Sequence, residues 1–172
     1  MAEAVTDCAA GRDITVVDVG CGTTTIAPYF NRLARFVGVD IDPDVVRVLK
    51  EQGVEICETR DMPALKLEGE GMNAVVALYM LQFKIDDHFF NDVAKLMKDD
   101  DLMFANLYRI PDERKQDLKT QAEKAGLCIE EVPDTLLSPG RQVFWAVSKK
   151  PDAAAQLARR VEKGLGGLHK TP

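Results

Sequence analysis

Val16-Val17-Asp18-Val19-Gly20-Cys21-Gly22-Thr23-Thr24 carries the strongest structural signal in this chain, and it gains its meaning from a second stretch, Val37-Gly38-Val39-Asp40. An apolar run ends on a carboxylate, a glycine turn follows, and a second carboxylate closes the next apolar run about 20 residues later. That arrangement suits a nucleoside held at the carboxyl edge of a parallel sheet. Gly20 and Gly22 let the backbone come close to whatever sits above the turn, and Asp40 can accept hydrogen bonds from ribose hydroxyls. Asp18 discriminates between ligands. A turn that cradles pyrophosphate wants no negative charge at its lip, whereas a ligand carrying an ammonium and a sulfonium is drawn to one.

Outward from this stretch, apolar strand-like runs alternate with helical patterns, which predicts an α/β fold with a doubly wound, mostly parallel sheet. Strands are expected at Ile14 to Val19, Phe36 to Asp40, Val54 to Cys57, Asn73 to Tyr79 and Leu102 to Leu107. Further runs at Leu127 to Val132 and Gln142 to Ser148 are joined by a loop containing Ser138-Pro139-Gly140. Ile26, Phe30, Leu33 and Ala34 recur at helical spacing and predict a helix after the glycine turn. Asp42-Pro43-Asp44 supplies a cap, a first-turn proline and a dipole-complementing acid for the next helix, and Gly53 stops it. Asp86 is expected to cap a helix whose Phe89, Phe90, Val93, Leu96 and Met97 face the sheet, and Phe83 is assigned to the core with them. Pro111 opens another helix, ended by Gly126.

With 172 residues, 46% of them hydrophobic and 29% charged, the chain suits one domain with a substantial core. We expect an N-terminal extension over 1–13, a ligand-binding domain over 14–149 and a basic C-terminal tail over 150–172. The tail is expected to be solvated and fraying, with Arg159, Arg160, His169 and Lys170 within reach of an anionic partner. The net charge is -6 while basic residues predominate from Lys149 onward, so the body is acidic and a broad nucleic-acid groove on it is disfavoured. Apolar runs fall far short of the roughly 18 residues that span a bilayer, and the N-terminus shows no secretory pattern, so a cytoplasmic protein is expected. Cys8, Cys21, Cys57 and Cys128 are scattered and far from His88 and His169, which argues against a metal site or a disulfide framework.

At these residues the chain resembles the class I methyltransferases, over Ile14 to about Lys149. Asp18, Gly20 and Gly22 match the family's Asp-x-Gly-x-Gly turn, Asp40 its second-strand acid, Asp61-Met62-Pro63 the loop after the third strand, and Met72 to Leu81 the fourth strand. One position departs: the family usually carries a third glycine where this chain has Thr24, whose β-branched side chain narrows the turn. The resemblance implies a sheet of about seven strands with an antiparallel hairpin at one edge. It also implies S-adenosylmethionine as cofactor, S-adenosylhomocysteine as product and no metal.

The same resemblance places Asp18, Gly20, Cys21, Gly22, Thr23 and Thr24 at the methionine end, Asp40 at the ribose, Ile41 against adenine, Asp61 and Met62 at the adenine edge, and Leu78 near the methyl group. Tyr79, Tyr108 and His88 are the candidate catalytic residues. Tyr79 and Tyr108 end strands where crevices of open sheets form, and the unperturbed pKa of a histidine lies near neutrality. The implied reaction moves a methyl group to an oxygen or nitrogen of an acceptor, a small molecule being favoured over protein or RNA. Little chain is left for a lid, so an open site covered by the acceptor, by a second copy in a homodimer, by a partner subunit or by the tail is expected. Two rival readings stand beside this one: a non-catalytic adenosyl-ligand binder or structural partner of a methyltransferase, and a dinucleotide-dependent oxidoreductase, against which Asp18 argues.

Overall fold

The computed structural model describes residues 1–67, 70–134 and 141–167. Ser138-Pro139-Gly140, His169 and Lys170 lie outside them. Strands β1 (Ile14–Val19), β2 (Leu33–Asp40), β3 (Ile56–Glu58), β4 (Met72–Ala77), β5 (Leu102–Tyr108), β6 (Cys128–Pro133) and β7 (Gln142–Ser148) form one sheet in the order β3-β2-β1-β4-β5-β7-β6. The first five run parallel, and β7 is antiparallel to both β5 and β6. The expected seven-stranded, mostly parallel sheet with its antiparallel edge is the observed one. The switch in strand order lies between β1 and β4, so the carboxyl ends of these two strands border the crevice in which such sheets bind ligands.

Alternation along the strands sends side chains to two cores. Val17, Val19, Val75, Ala77, Met103, Ala105 and Trp145 join helices α3 (Phe89–Leu96) and α4 (Asp112–Lys124) on one face. Ile14, Val16, Ala74, Val76, Phe104 and Ala146 meet helices α1 (Ala2–Cys8) and α5 (Pro151–Gly167) on the other. Helix α2 (Pro43–Glu51) packs Val46 and Leu49 on Cys21 and Ile56. Its Asp42 cap accepts from the Asp44 N–H at 2.9 Å, and Gly53 follows it with a φ of 79°.

Two expectations are corrected. The helix expected after the glycine turn is only a three-residue 3-10 turn, Ala27–Tyr29, because β2 begins at Leu33 and captures that residue and Arg35 in its ladder with Ile14 and Thr15. Arg32, at φ 62°, breaks any helical continuation. Phe30 and α1 supply apolar cover in the same cluster as Ile14 and Val16.

The fraying tail is instead helix α5 through Gly167, with Ala154, Leu157, Ala158 and Val161 buried. Their i, i+3, i+4, i+7 spacing makes one apolar stripe, and burying residues such as Leu157 and Val161 contributes about 1.5–3 kcal/mol each. Arg160 pairs with Asp7 at 2.9 Å and Lys150 with Asp99 at 3.6 Å, so part of the tail's basic charge is engaged within the chain. Among the described residues, no helix is long and apolar enough to cross a membrane.

Candidate functional site

A hollow of about 730 Å³ opens at the carboxyl edge, between the ends of β1, β2, β3 and β4 and the start of α3. Gly20 and Gly22 line it with φ values of 71° and 59°, in the left-handed region that glycine enters without a steric penalty. A Cβ on Gly20 would lie 2.9 Å from Cβ of Met80, so the β1 turn and the chain beyond β4 approach closely only because that atom is absent. Gly38 answers a similar demand lower down, where a Cβ would meet Cys21 Sγ at 3.0 Å.

The two acids flanking the glycine turn are both enclosed, Asp18 at 3% exposure and Asp40 at 8%. Asp40 closes the turn: its Oδ2 accepts the Gly22 N–H at 2.9 Å and its Oδ1 accepts the Asp42 N–H at 3.0 Å. Each carboxylate oxygen has a second lone pair, so the Asp40 side chain, which lines the hollow, keeps capacity for ligand hydroxyls. Asp18 is not in the lining of the hollow, and no hydrogen bond reaches its carboxylate among the described residues. Burial first, and repulsion from Asp40 second, raise its pKa to about 7. Cys21 is a packing residue: burial, then the charges of Asp18 and Asp40, push its thiol up to about 12, far from a reactive thiolate.

Ile41 is 81% exposed yet lines the hollow, an apolar side chain held in solvent where a planar ligand would cover it. Met62, fully buried, forms part of the floor, and Leu78 borders it on the β4 side. Asp61 is exposed and not in the lining, whereas Glu58, Thr59 and Arg60 are. A 3-10 segment at Thr59–Ala64 sets that alternation, turning Met62 inward and leaving Asp61 outside. Thr23 and Thr24 are exposed and outside the lining, so the β-branched side chain at 24 does not fill the hollow.

The structure brings Tyr79 and His88 to the hollow, but not Tyr108, which meets the Tyr79 ring edge-on at 6.1 Å. His88 is exposed at the start of α3, where its N–H donates to Asp86 Oδ1 at 2.8 Å. Phe83 is corrected from core to rim: it is 64% exposed and lines the hollow, while Phe89 and Phe90 are buried as expected. Sequence reasoning also missed Lys84 and Ile85, which follow it into the lining. No periodicity marks these residues, since they lie in the irregular segment between β4 and α3. Among the described residues, no group of histidine, cysteine or acidic side chains is placed to hold a metal.

Residues 16–100, which hold the glycine turn after β1 and the acid ending β2, match the family model described as a methyltransferase domain. The whole sheet is class I methyltransferase-like in fold. This fold is shared with a TehB-like SAM-dependent methyltransferase from Corynebacterium glutamicum, at 18% identity and TM-score 0.62, with 87% of this chain and 88% of that one covered. The S-adenosylmethionine-bound amino pentose methyltransferase CalS10 from Micromonospora echinaspora aligns at 15% identity and TM-score 0.60, covering 86% and 88%. The CurJ carbon methyltransferase aligns at 11% identity and TM-score 0.59, covering 80% of this chain and 49% of that one. A search of curated proteins by sequence gives no match. At these identities the likeness establishes architecture, and the chemistry rests on this chain's own residues.

Proposed function

We propose that this protein is an S-adenosylmethionine-dependent methyltransferase acting on an oxygen or nitrogen of a small-molecule acceptor. The observation that carries this reading is Asp40, 8% exposed and lining a glycine-walled hollow, with Asp18, 3% exposed and outside the lining, enclosed next to the same turn and repelled by Asp40. Two mutually repelling acids, one lacking a donor, favour a cationic ligand and disfavour pyrophosphate. The exposed Ile41 and the open turn fit a nucleoside in the same place.

S-adenosylmethionine supplies a methyl group already activated on a sulfonium, which leaves the protein to bind, orient and, where the acceptor requires it, take a proton. Asp40 would accept from the ribose hydroxyls, Ile41 and Met62 would enclose the adenine, and the charge of Asp18 would favour the ammonium through the turn. Leu78 and Tyr79 would border the reacting centre, with His88 and Tyr79 the lining groups able to take or relay a proton. The hollow continues from the glycine turn to Phe83, Ile85 and His88, and this room beyond the nucleoside end supports a small acceptor.

Titration calorimetry with S-adenosylmethionine and S-adenosylhomocysteine is the first test. Saturable binding of both is expected, and no heat with either at millimolar ligand overturns the reading. Production of S-adenosylhomocysteine across a panel of small alcohols, phenols and amines then separates enzyme from binder. Binding without turnover, with activity gained only on adding a partner protein, would favour the non-catalytic alternative.

A further inference from the structure

The segment that carries Tyr79 is held in an unusual way. Tyr79 has a φ of 56°, in the left-handed region that a bulky L-residue enters only under constraint. Its N–H donates to Asn106 Oδ1 at 2.5 Å, from the neighbouring strand β5. Asn106 Nδ2 donates in turn to Gln142 Oε1 at 3.2 Å, and Gln142 Nε2 donates to Asp134 Oδ2 at 3.4 Å. All three side chains are buried, beneath a tyrosine that is more than half exposed.

The direction of this chain is fixed chemically. A carboxylate can only accept, so Asp134 turns the Gln142 amide nitrogen toward itself, which leaves the Gln142 oxygen for Asn106 and the Asn106 oxygen for Tyr79. The relay therefore reaches from the β6 end of the sheet to the mouth of the hollow. Arg109, just beyond β5, repeats the pattern with a φ of 53° and its N–H donated to the Arg141 carbonyl at 2.7 Å, and its guanidinium lies over the Tyr108 ring that meets Tyr79.

We propose that Asn106 is a positioning residue: by holding the Tyr79 backbone in its left-handed conformation, and being held itself by Gln142 and Asp134, it sets the Tyr79 ring as a fixed wall at the acceptor side of the hollow. The role of that wall rests on the methyltransferase reading, whereas the clamp itself does not. Without the bond to Asn106, Tyr79 relaxes toward negative φ and its ring leaves the mouth.

The test uses the full chain labelled with 3-fluorotyrosine. Its three tyrosines give fluorine resonances assignable by Tyr29→Phe, Tyr79→Phe and Tyr108→Phe. In Asn106→Ala the Tyr79 and Tyr108 resonances should move while Tyr29 stays. The shift of Tyr79 on adding S-adenosylhomocysteine should fall several-fold, with calorimetric affinity for that ligand kept within about 3-fold. Asn106→Asp alone should also displace Tyr79, because it faces the Gln142 oxygen with a second acceptor. Adding Asp134→Asn lets the Gln142 amide turn over, so that its nitrogen faces the new carboxylate, and should restore the wild-type resonance.

Unmoved Tyr79 and Tyr108 signals in Asn106→Ala, or a double variant no closer to wild type than Asn106→Asp, overturn the proposal. If Asn106→Ala does not fold, the single and double exchanges still decide it. Failure of the wild type to bind S-adenosylhomocysteine overturns the functional reading separately, since the resonances of the unliganded protein continue to report the clamp.

Discussion

At the amino edge of the sheet Asp101 is completely enclosed, and its carboxylate accepts from the N–H and the side-chain amide of Asn73, each at 2.7 Å, and from the N–H of Lys98 at 2.7 Å. Asp18 at the carboxyl edge is almost as enclosed, has no such donors among the described residues, and faces the charge of Asp40. One buried acid is saturated and knits the ends of β4 and β5; the other has no such partner and adjoins the glycine turn that borders the hollow. Burial alone therefore does not mark a functional acid. What marks it is burial without compensation, which costs stability in the free protein and is relieved when a cation arrives.

The saturated edge should respond most strongly. Asp101→Ala orphans three donors and should destabilise the fold by about 3 kcal/mol or more, read by urea unfolding, while the folded fraction keeps its affinity for S-adenosylhomocysteine. A loss of affinity as large as the loss of stability would remove the distinction between the two edges.

Asp18→Asn tests the opposite end, and its sign depends on pH. The folded pKa of Asp18, about 7, lies above its ordinary value of 3.8, so the folded state holds a proton that the unfolded chain has already released. The resulting stability is present at low pH, is lost as pH rises from about 4 to about 7, and changes no further above that. An amide at this position does not titrate. The variant should therefore be more stable than the parent at about pH 8, by an amount on the order of a few kcal/mol, and should match it near pH 4. Its affinity for S-adenosylmethionine should fall about tenfold at about pH 8. Equal pH dependence of unfolding in parent and variant would show that Asp18 is not the strained acid.

Gly20→Ala should destabilise the fold by about 1–3 kcal/mol, through a strained φ and the clash with Met80, and weaken cofactor binding with it. Asp40→Ala should weaken binding of S-adenosylhomocysteine by roughly 1–3 kcal/mol in calorimetry; an unchanged affinity would remove Asp40 from the ribose site. Smallest is Ile41→Ala, which should cost binding about 0.5–1 kcal/mol and leave the melting temperature unmoved, because its side chain is mostly in solvent in the free protein.

How much could be read along the chain followed from where the deciding forces act. The glycine turn, Asp18, Asp40 and the capped helix α2 were legible because turn, cap and strand-end chemistry act within a few neighbouring residues. Phe83 reads as core in one dimension and stands at the rim in three, since no local rule says that the segment after β4 turns outward. Asp61 and Met62 look equivalent in a loop, and only the 3-10 geometry separates them. The apolar stripe of α5 was present at Ala154, Leu157, Ala158 and Val161 but is masked by basic neighbours. The missing helix between β1 and β2 was lost to competition: its apolar spacing was real, but the ladder of β2 with β1 claimed the same residues.

The order of residues was sufficient for the alternation that makes a parallel sheet and for the placement of two acids around a glycine turn, because hydrophobic periodicity and backbone freedom are properties of short segments. It took the folded molecule to settle which of the buried acids is compensated, which apolar side chains are left uncovered at the hollow, and how Tyr79 is held there. Those outcomes depend on hydrogen-bond partners that arrive from strands far away in the chain, as Asn106 and Gln142 do for Tyr79.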